Sequence, residues 1–417
     1  MTEQFVDLFD LAATALASTI SASIPIRNLA HDNERSNSNA LPMVGNGTKQ
    51  SIKHSSTTTT TSSSREGNTN VNDSLNSLES NDSSIPVVVD EVEQKETLNS
   101  IKQASREKND GTLVTAADGA SQQIIVDAFR SISKEIRIIG EESFEDERGY
   151  ASHELIQNKQ KYTLELDCTY EEIYEIAKKE IQLRRQEINN EQEYEKTECS
   201  QVIVFIDPLD GTKNFARGRY DAVTILVAII LDNTPVFGVI CKPFGQEGQP
   251  SIHNSGCFAC YGGSLLQGAY TAGGGPCNVA PMRTSSLPRA VISKSRAGGV
   301  VGKCLLALNN LGLLEHKPVL VDGAGEKSLR LLVGIENEVL WFFPKPGTSL
   351  WDVAALDAIL ISIGGKLTDK NGKPLDYTNR RTRLNASNND GIVASTDATI
   401  HETCIRIFRE SEWELEE

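Results

Sequence analysis

The sequence predicts a layered fold in which β-sheets are covered by α-helices. Three observations lead there. A chain of 417 residues is long enough for a large core or two subdomains. Strongly apolar runs of strand length recur, among them 202–206 (VIVFI) and 223–231 (VTILVAIIL). Stretches with apolar residues at helical spacing stand among them, and that mixture packs as alternating layers.

Taken in order, residues 3 to about 24 read as one amphipathic helix, with Phe5, Leu8, Phe9, Leu11, Ala12 and Leu16 at helical spacing and Pro25 closing it. From about Ala30 to Ser84 the composition falls to mostly Asn, Ser, Thr, Asp and Glu, with ten consecutive hydroxyl residues at 55–64. Such a stretch buries too little apolar area to offset its ordering entropy. Residues 30–84 therefore read as a disordered insertion, a spacer with many phosphorylatable side chains.

Folded pattern resumes near Glu91, with a helix through 117–132 and a strand at 136–139 (IRII) that ends at Gly140. A second insertion, 145–198, holds fifteen acidic and eight basic residues. Its stretch 170–188 has helical spacing and reads as a solvated peripheral helix. Strands flank Asp232-Asn233-Thr234-Pro235, a hairpin signal. Further strands are expected at 289–293, 338–343 and 392–394, with a helix at 351–363 closed by Gly364-Gly365. The boundaries so drawn are a helix at 1–29, the insertion 30–84, an α+β half at 85–288 and an α/β half at 289–417.

Charge narrows the function. Lys and Arg number 41 against 57 Asp and Glu, a net of -16. That balance argues against a nucleic-acid partner and against a polybasic membrane anchor. The most apolar run is only strand-length, so no membrane span is expected. No basic residue precedes Arg27, so neither a secretory nor a transit signal is read, and the cytoplasm is expected. Eight scattered cysteines fit a reducing compartment.

The strongest chemical signal is Asp207-Pro208-Leu209-Asp210-Gly211-Thr212, directly after VIVFI. Two carboxylates three residues apart at a strand's carboxyl end can point into one small volume. They repel unless a cation holds them, and a hard divalent ion does so through oxygen. Gly211 permits close approach of a ligand, and Thr212 adds a hydroxyl. Gly140-Glu141-Glu142-Ser143 follows another short strand, with Glu142 expected to face solvent. In 351–355 (WDVAA) Asp352 opens a helix, as Asp118 does in 114–118 (VTAAD), and alone each would read as a cap. Competing motifs fail. GAGEKS and GGVVGKC are not P-loops, the Cys257/Cys260 pair lacks a second pair at zinc spacing and reads as core, and the six histidines show no ligand spacing.

Together TAADGASQQII, IIGEES, DPLDGTKNF and WDVAALDAIL, with GGKLTD behind it, resemble the inositol monophosphatase-like family of magnesium-dependent, lithium-sensitive phosphatases. The resemblance covers about Leu113 to Asn388 apart from the acidic insertion. IDPLDGTKNFARG, VDGAGEK and GGKLTDKNGKPLDY look most like its 3'(2'),5'-bisphosphate nucleotidase branch. It implies a layered α/β/α/β sandwich with the active site between the halves. It also implies magnesium ligands at Glu141, Asp207, Asp210, Asp352 and the carbonyl of Leu209, with Asp118 and Thr212 activating water for in-line attack on phosphorus. Substrate contacts would fall to Gly211, Thr212, Ser295, Arg296, Gly323 and Lys327. Arg296 stands where the branch has a histidine, which bears on nucleotide preference. The resemblance thus implies hydrolysis of a small phosphomonoester, adenosine 3',5'-bisphosphate first and an inositol phosphate second. A partner-recruiting protein of weak activity, acting through its insertion, is the alternative of another class. Oligomeric state is not legible in the sequence.

Overall fold

The computed structural model describes residues 5–39, 105–107, 113–142, 169–188, 196–249, 256–277, 286–378, 383–411 and 413. Most of the 30–84 insertion, the resumption near Glu91 and much of the acidic insertion lie outside them.

A six-stranded sheet is built from β1 (Arg137–Gly140), β2 (Val202–Asp210), β3 (Thr224–Leu231), β4 (Thr234–Lys242), β5 (Phe258–Gly263) and β6 (Gly268–Thr271). Its order is β6-β5-β4-β3-β2-β1, antiparallel except for the parallel pair β1 and β2. Alternation along β2 explains why its sequence is apolar throughout. Val202, Val204 and Ile206 enter one core, while Ile203 and Phe205 enter another on the opposite face. The β3–β4 hairpin turns at Asp232 and Asn233, both at positive φ, as two-residue turns of this hand require.

On one face lie α1 (Leu8–Asn39), α2 (Ala116–Ile132) and α3 (Tyr170–Glu187), whose Leu11, Leu16, Ile20, Ile125, Phe129 and Ile181 share a core with that sheet. The other sheet contains β7 (Arg289–Ile292), β8 (Val319–Leu320), β9 (Glu338–Phe343), β10 (Lys366–Thr368) and β11 (Ile392–Ser395), in the order β8-β7-β9-β11-β10. Four further helices are α4 (Gly299–Asn310), α5 (Ala324–Val333), α6 (Leu350–Ser362) and α7 (Ala398–Glu410). Helices α5 and α6 fill the space between the two sheets, where Leu329, Leu356 and Ile359 meet Phe205, Leu226 and Trp341. Outside the second sheet α4 and α7 cover Ala290, Ile292, Leu340 and Phe342. The layered sandwich expected from the resemblance is present, and α4 and α7 add a helical layer because the second sheet is also apolar on its outer face.

Two elements differ from expectation. The first helix runs through Pro25 to Asn39, ten residues into the stretch read as an insertion. Over Leu8–Ala30 it is buried nearly all round, not amphipathic, and Phe5 lies outside it in a two-residue strand. Ser18, Thr19 and Ser23 tolerate this burial because each hydroxyl donates to a carbonyl of the preceding turn. By length and composition Leu8–His31 could cross a membrane, yet 83% of that window is buried inside the protein. The helix at 170–187 is likewise no solvated appendage. Ile173, Ala177 and Ile181 pack into the core, and the Tyr261 hydroxyl donates to Glu180 at 2.8 Å.

A carboxyl group of α6 makes the stability of this interior pH-dependent. Asp357 is 5% exposed, and the Tyr377 hydroxyl donates to its Oδ2 at 2.9 Å. Burial pushes its pKa up to about 7. The folded value lies above the unfolded one, so the associated stability is full below about pH 4 and is lost as the pH rises to about 7. Asp357→Asn is expected to raise the melting temperature at pH 8, with a ceiling of about 4 kcal/mol. The gain should vanish near pH 4, and a gain independent of pH in thermal melts would refute the account.

Candidate active site

The site starts where β2 loses its regular ladder. Asp207 pairs with Leu226 and Asp210 with Thr224, and the register shifts between them. Pro208 has no N–H to give the ladder, and the bulge turns both carboxylates out of the strand's alternation. The strand thus runs through the motif that the sequence suggested was a turn beyond it. Leu209 N donates to Asp207 Oδ1 at 3.1 Å. Because β1 runs parallel to β2, Glu141 arrives beside Asp207, its N–H on the Ile206 carbonyl at 3.0 Å.

Asp352 comes from the first turn of α6, where its Oδ2 accepts the Ser349 N–H at 2.6 Å. The cap suspected from the sequence is present, and the same carboxylate also reaches Asp207 by hydrogen bond. Burial, and then the charge of Asp210, pushes the Asp352 carboxyl up to about 8. Asp207 is raised well above the ordinary range by burial first, and then by Glu141, Asp210 and Asp352. Asp210 is raised by burial, against the opposing charge of Lys327.

Such a set holds protons at neutral pH unless a cation replaces them, and every donor is a hard oxygen. Magnesium fits that donor set. Among the described residues no three or more His, Cys, Asp or Glu close into a metal cage.

Thr212 and Asp118 form the second part. Asp118, fully buried in the first turn of α2, has its Oδ1 3.1 Å from Thr212 Oγ1. The Leu209 carbonyl lies 3.0 Å from the same hydroxyl, whose single proton serves one acceptor at a time. Gly211, at φ 89°, begins the one-turn helix that carries Thr212.

The remaining expectations fare unevenly. Lys327 is buried and does not reach outward. Its Nζ donates to the Gly323 carbonyl and lies 5.3 Å from the Trp341 ring centroid. Burial lowers its pKa, while Asp210 opposes that shift. Gly323 also serves Asp210, since a Cβ there would lie 2.9 Å from Asp210 Oδ2. Both residues, read as substrate contacts from sequence, stand beside the Asp210 carboxylate. Ser295 and Arg296 are exposed on the turn after β7, with the Arg296 guanidinium 4.4 Å from the Phe343 ring centroid. Glu142, expected in solvent, is buried. Its N–H donates to Gln122 Oε1 at 3.1 Å, and Gln122 Nε2 returns a bond to its carbonyl at 2.8 Å.

Three contributors escaped the sequence reading. Gln122 ties the Glu141 loop to α2, and its position four after Asp118, on the same helical face, was the available signal. Thr224 donates to Asp210 Oδ2 at 3.2 Å, and the Gly325 N–H does so at 2.7 Å. Gly325 has no substitute here, because a Cβ would fall 2.0 Å from Thr224 Oγ1. The cavity of about 620 Å³ lined by Lys366, Thr368, His401 and Arg406 shares no residue with this site.

The family model described as the inositol monophosphatase family matches residues 77–409. The 3'(2'),5'-bisphosphate nucleotidase 1 of Dictyostelium discoideum is 28% identical over 298 residues, covering 67% of this chain and 80% of that protein. Its namesake in Homo sapiens is 29% identical, with 68% and 79% covered. A putative inositol monophosphatase 3 of Drosophila melanogaster is 27% identical over 71% of each chain. Among solved structures, a staphylococcal IMPase I complexed with products aligns at 16% identity and a TM-score of 0.47, covering 78% of this chain and 95% of that one.

Proposed function

Because the chain belongs to the inositol monophosphatase family, we propose that it uses magnesium to hydrolyse adenosine 3',5'-bisphosphate to AMP and phosphate. It is a phosphoric monoester hydrolase. The observation that carries the hydrolytic reading is the Thr212–Asp118 hydrogen bond beside three buried carboxylates, Asp207, Asp210 and Asp352, whose pKa values are all raised.

Glu141, Asp207, Asp210, Asp352 and the Leu209 carbonyl would hold magnesium, which when bound neutralises phosphate charge and lowers the pKa of water. The chain's own groups manage the proton. Thr212 donates to Asp118 Oδ1, which leaves its oxygen to accept from a water facing the phosphorus. As that water attacks in line, its proton passes to Thr212 and the threonine's proton to Asp118. The ester P–O bond breaks, and the leaving oxygen is protonated from solvent.

The relatives named 3'(2'),5'-bisphosphate nucleotidase support the nucleotide. Arg296 supports a second anion on the substrate, since it is a cation held against Phe343 and its charge is felt at Lys327, close to the acids. The relative named a putative inositol monophosphatase 3 keeps an inositol phosphate as the second reading.

The test measures kcat/KM for adenosine 3',5'-bisphosphate and inositol 1-phosphate, with magnesium and with excess chelator. The bisphosphate should be preferred, activity should vanish in chelator, and lithium should inhibit. Arg296→Ala should lose about tenfold on the bisphosphate alone, the worth of one exposed charged hydrogen bond. A preference for the inositol ester would remove the nucleotide reading, and turnover in chelator the metal reading.

A further inference from the structure

A chain of alternating charges runs from the first sheet to the second through the helix that holds Asp210. Lys242, the last residue of β4, is buried, with its Nζ 2.8 Å from both Glu326 Oε2 and Gln246 Oε1. The other oxygen of Glu326 accepts from Arg330 Nε at 3.0 Å. Arg330 Nη1 then donates to Glu336 at 3.0 Å and to Glu338 Oε1 at 2.8 Å, and Arg289 closes on Glu336. Glu338 begins β9 and Arg289 begins β7.

Glu326 is out of place on general grounds. It is a buried carboxylate one residue from Gly325, whose N–H holds Asp210, and it would add negative charge to a neighbourhood already crowded with it. Cations on both of its oxygens cancel that charge. What it supplies is a fixed point. The first turn of α5 rests on β3 through a glycine with no room to spare, and no hydroxyl or carboxylate caps the helix at Gly323. The Lys242–Glu326–Arg330 bridge is the polar tie that sets this turn against the end of β4.

We propose that Lys242 and Glu326 are positioning residues for the cation site. They clamp the first turn of α5 so that the Gly325 N–H stays on Asp210 and the Lys327 ammonium stays on the Gly323 carbonyl nearby, and they thereby set the affinity for the divalent ion. This rests on the reading of Asp210 as a magnesium ligand.

The experiment separates stability from affinity, using magnesium itself as the probe in calorimetric titration of the full chain beside thermal melts in chelator. Lys242→Met leaves Glu326 half-compensated and is expected to lower both. Lys242→Met combined with Glu326→Met removes both charges, and a buried pair replaced by apolar groups commonly regains its stability. That double variant should melt near the parent yet bind magnesium about tenfold or more weakly, as loss of groups that orient metal ligands does. Lys242→Arg, which keeps the charge, should recover part of the affinity. A stable double variant that binds magnesium as tightly as the parent would overturn the clamp and leave the metal reading intact. A parent that binds no magnesium would overturn the metal reading beneath it.

Discussion

Asp210→Asn is expected to yield a folded protein whose kcat/KM has fallen by about a thousandfold or more. The side chain is nearly isosteric, so its oxygen can still accept the Gly325 N–H and the Thr224 hydroxyl that hold the native carboxylate. What disappears is one negative charge among the groups assigned to magnesium. Several kcal/mol of charge stabilisation at phosphorus depend on those ions, and each 1.4 kcal/mol or so is tenfold in rate. Stability in chelator should move the opposite way. Burial raises the Asp210 pKa, so the neutral amide relieves a desolvation cost that the carboxylate bears at neutral pH. Two measurements check the account, steady-state kinetics and a thermal melt in chelator. A variant with near-parental turnover would remove Asp210 from the metal site. A variant that is inactive only because it melts early would leave the assignment without support.

The acids were legible because each ends a short apolar strand or opens a helix. That Glu141, Asp207, Asp210 and Asp352 converge was implied only by the resemblance of their motifs to a known family, since Asp352 alone reads as a helix cap and Glu141 alone as a common strand-end acid. The groups that hold them were not legible. Thr224 and Gly325 reach Asp210 from fourteen and 115 residues away, a distance along the chain that no local pattern records. Lys327 shows the same gap from the other side. A lysine in GAGEK reads as an outward cation, and only the packing of α5 turns its ammonium inward to Gly323 and Trp341. The first helix misled because amphipathicity was counted in large apolar residues. Ala13, Ala15, Ser18 and Thr19 complete its buried circumference, and small hydroxyl residues satisfied by their own backbone look polar in a sequence.

Gly238→Val is expected to be the most damaging single change outside the site. Gly238 sits in mid-β4, paired with Ala228 on one side and Gly262 on the other. A Cβ there would lie 2.3 Å from the Ala355 carbonyl oxygen and 2.8 Å from the Ala355 Cα. Both are backbone atoms of α6, so no rotamer change can make room. The helix itself must lift from the sheet. It is the central layer of the molecule, with Val353, Ala354, Leu356 and Ile359 buried between the sheets. Lifting it also carries Asp352 away from Asp207. Overpacking of this kind costs about 3 kcal/mol, which for a chain of this size lowers the melting temperature by roughly 3 to 4 °C. Gly298→Ala is the control, because nothing lies within 4 Å of the added Cβ. Any folded Gly238→Val protein should also bind magnesium poorly, since one carboxylate has left the set. Melting of Gly238→Val within a degree or two of both the parent and the control would mean that α6 does not rest on β4 at this glycine.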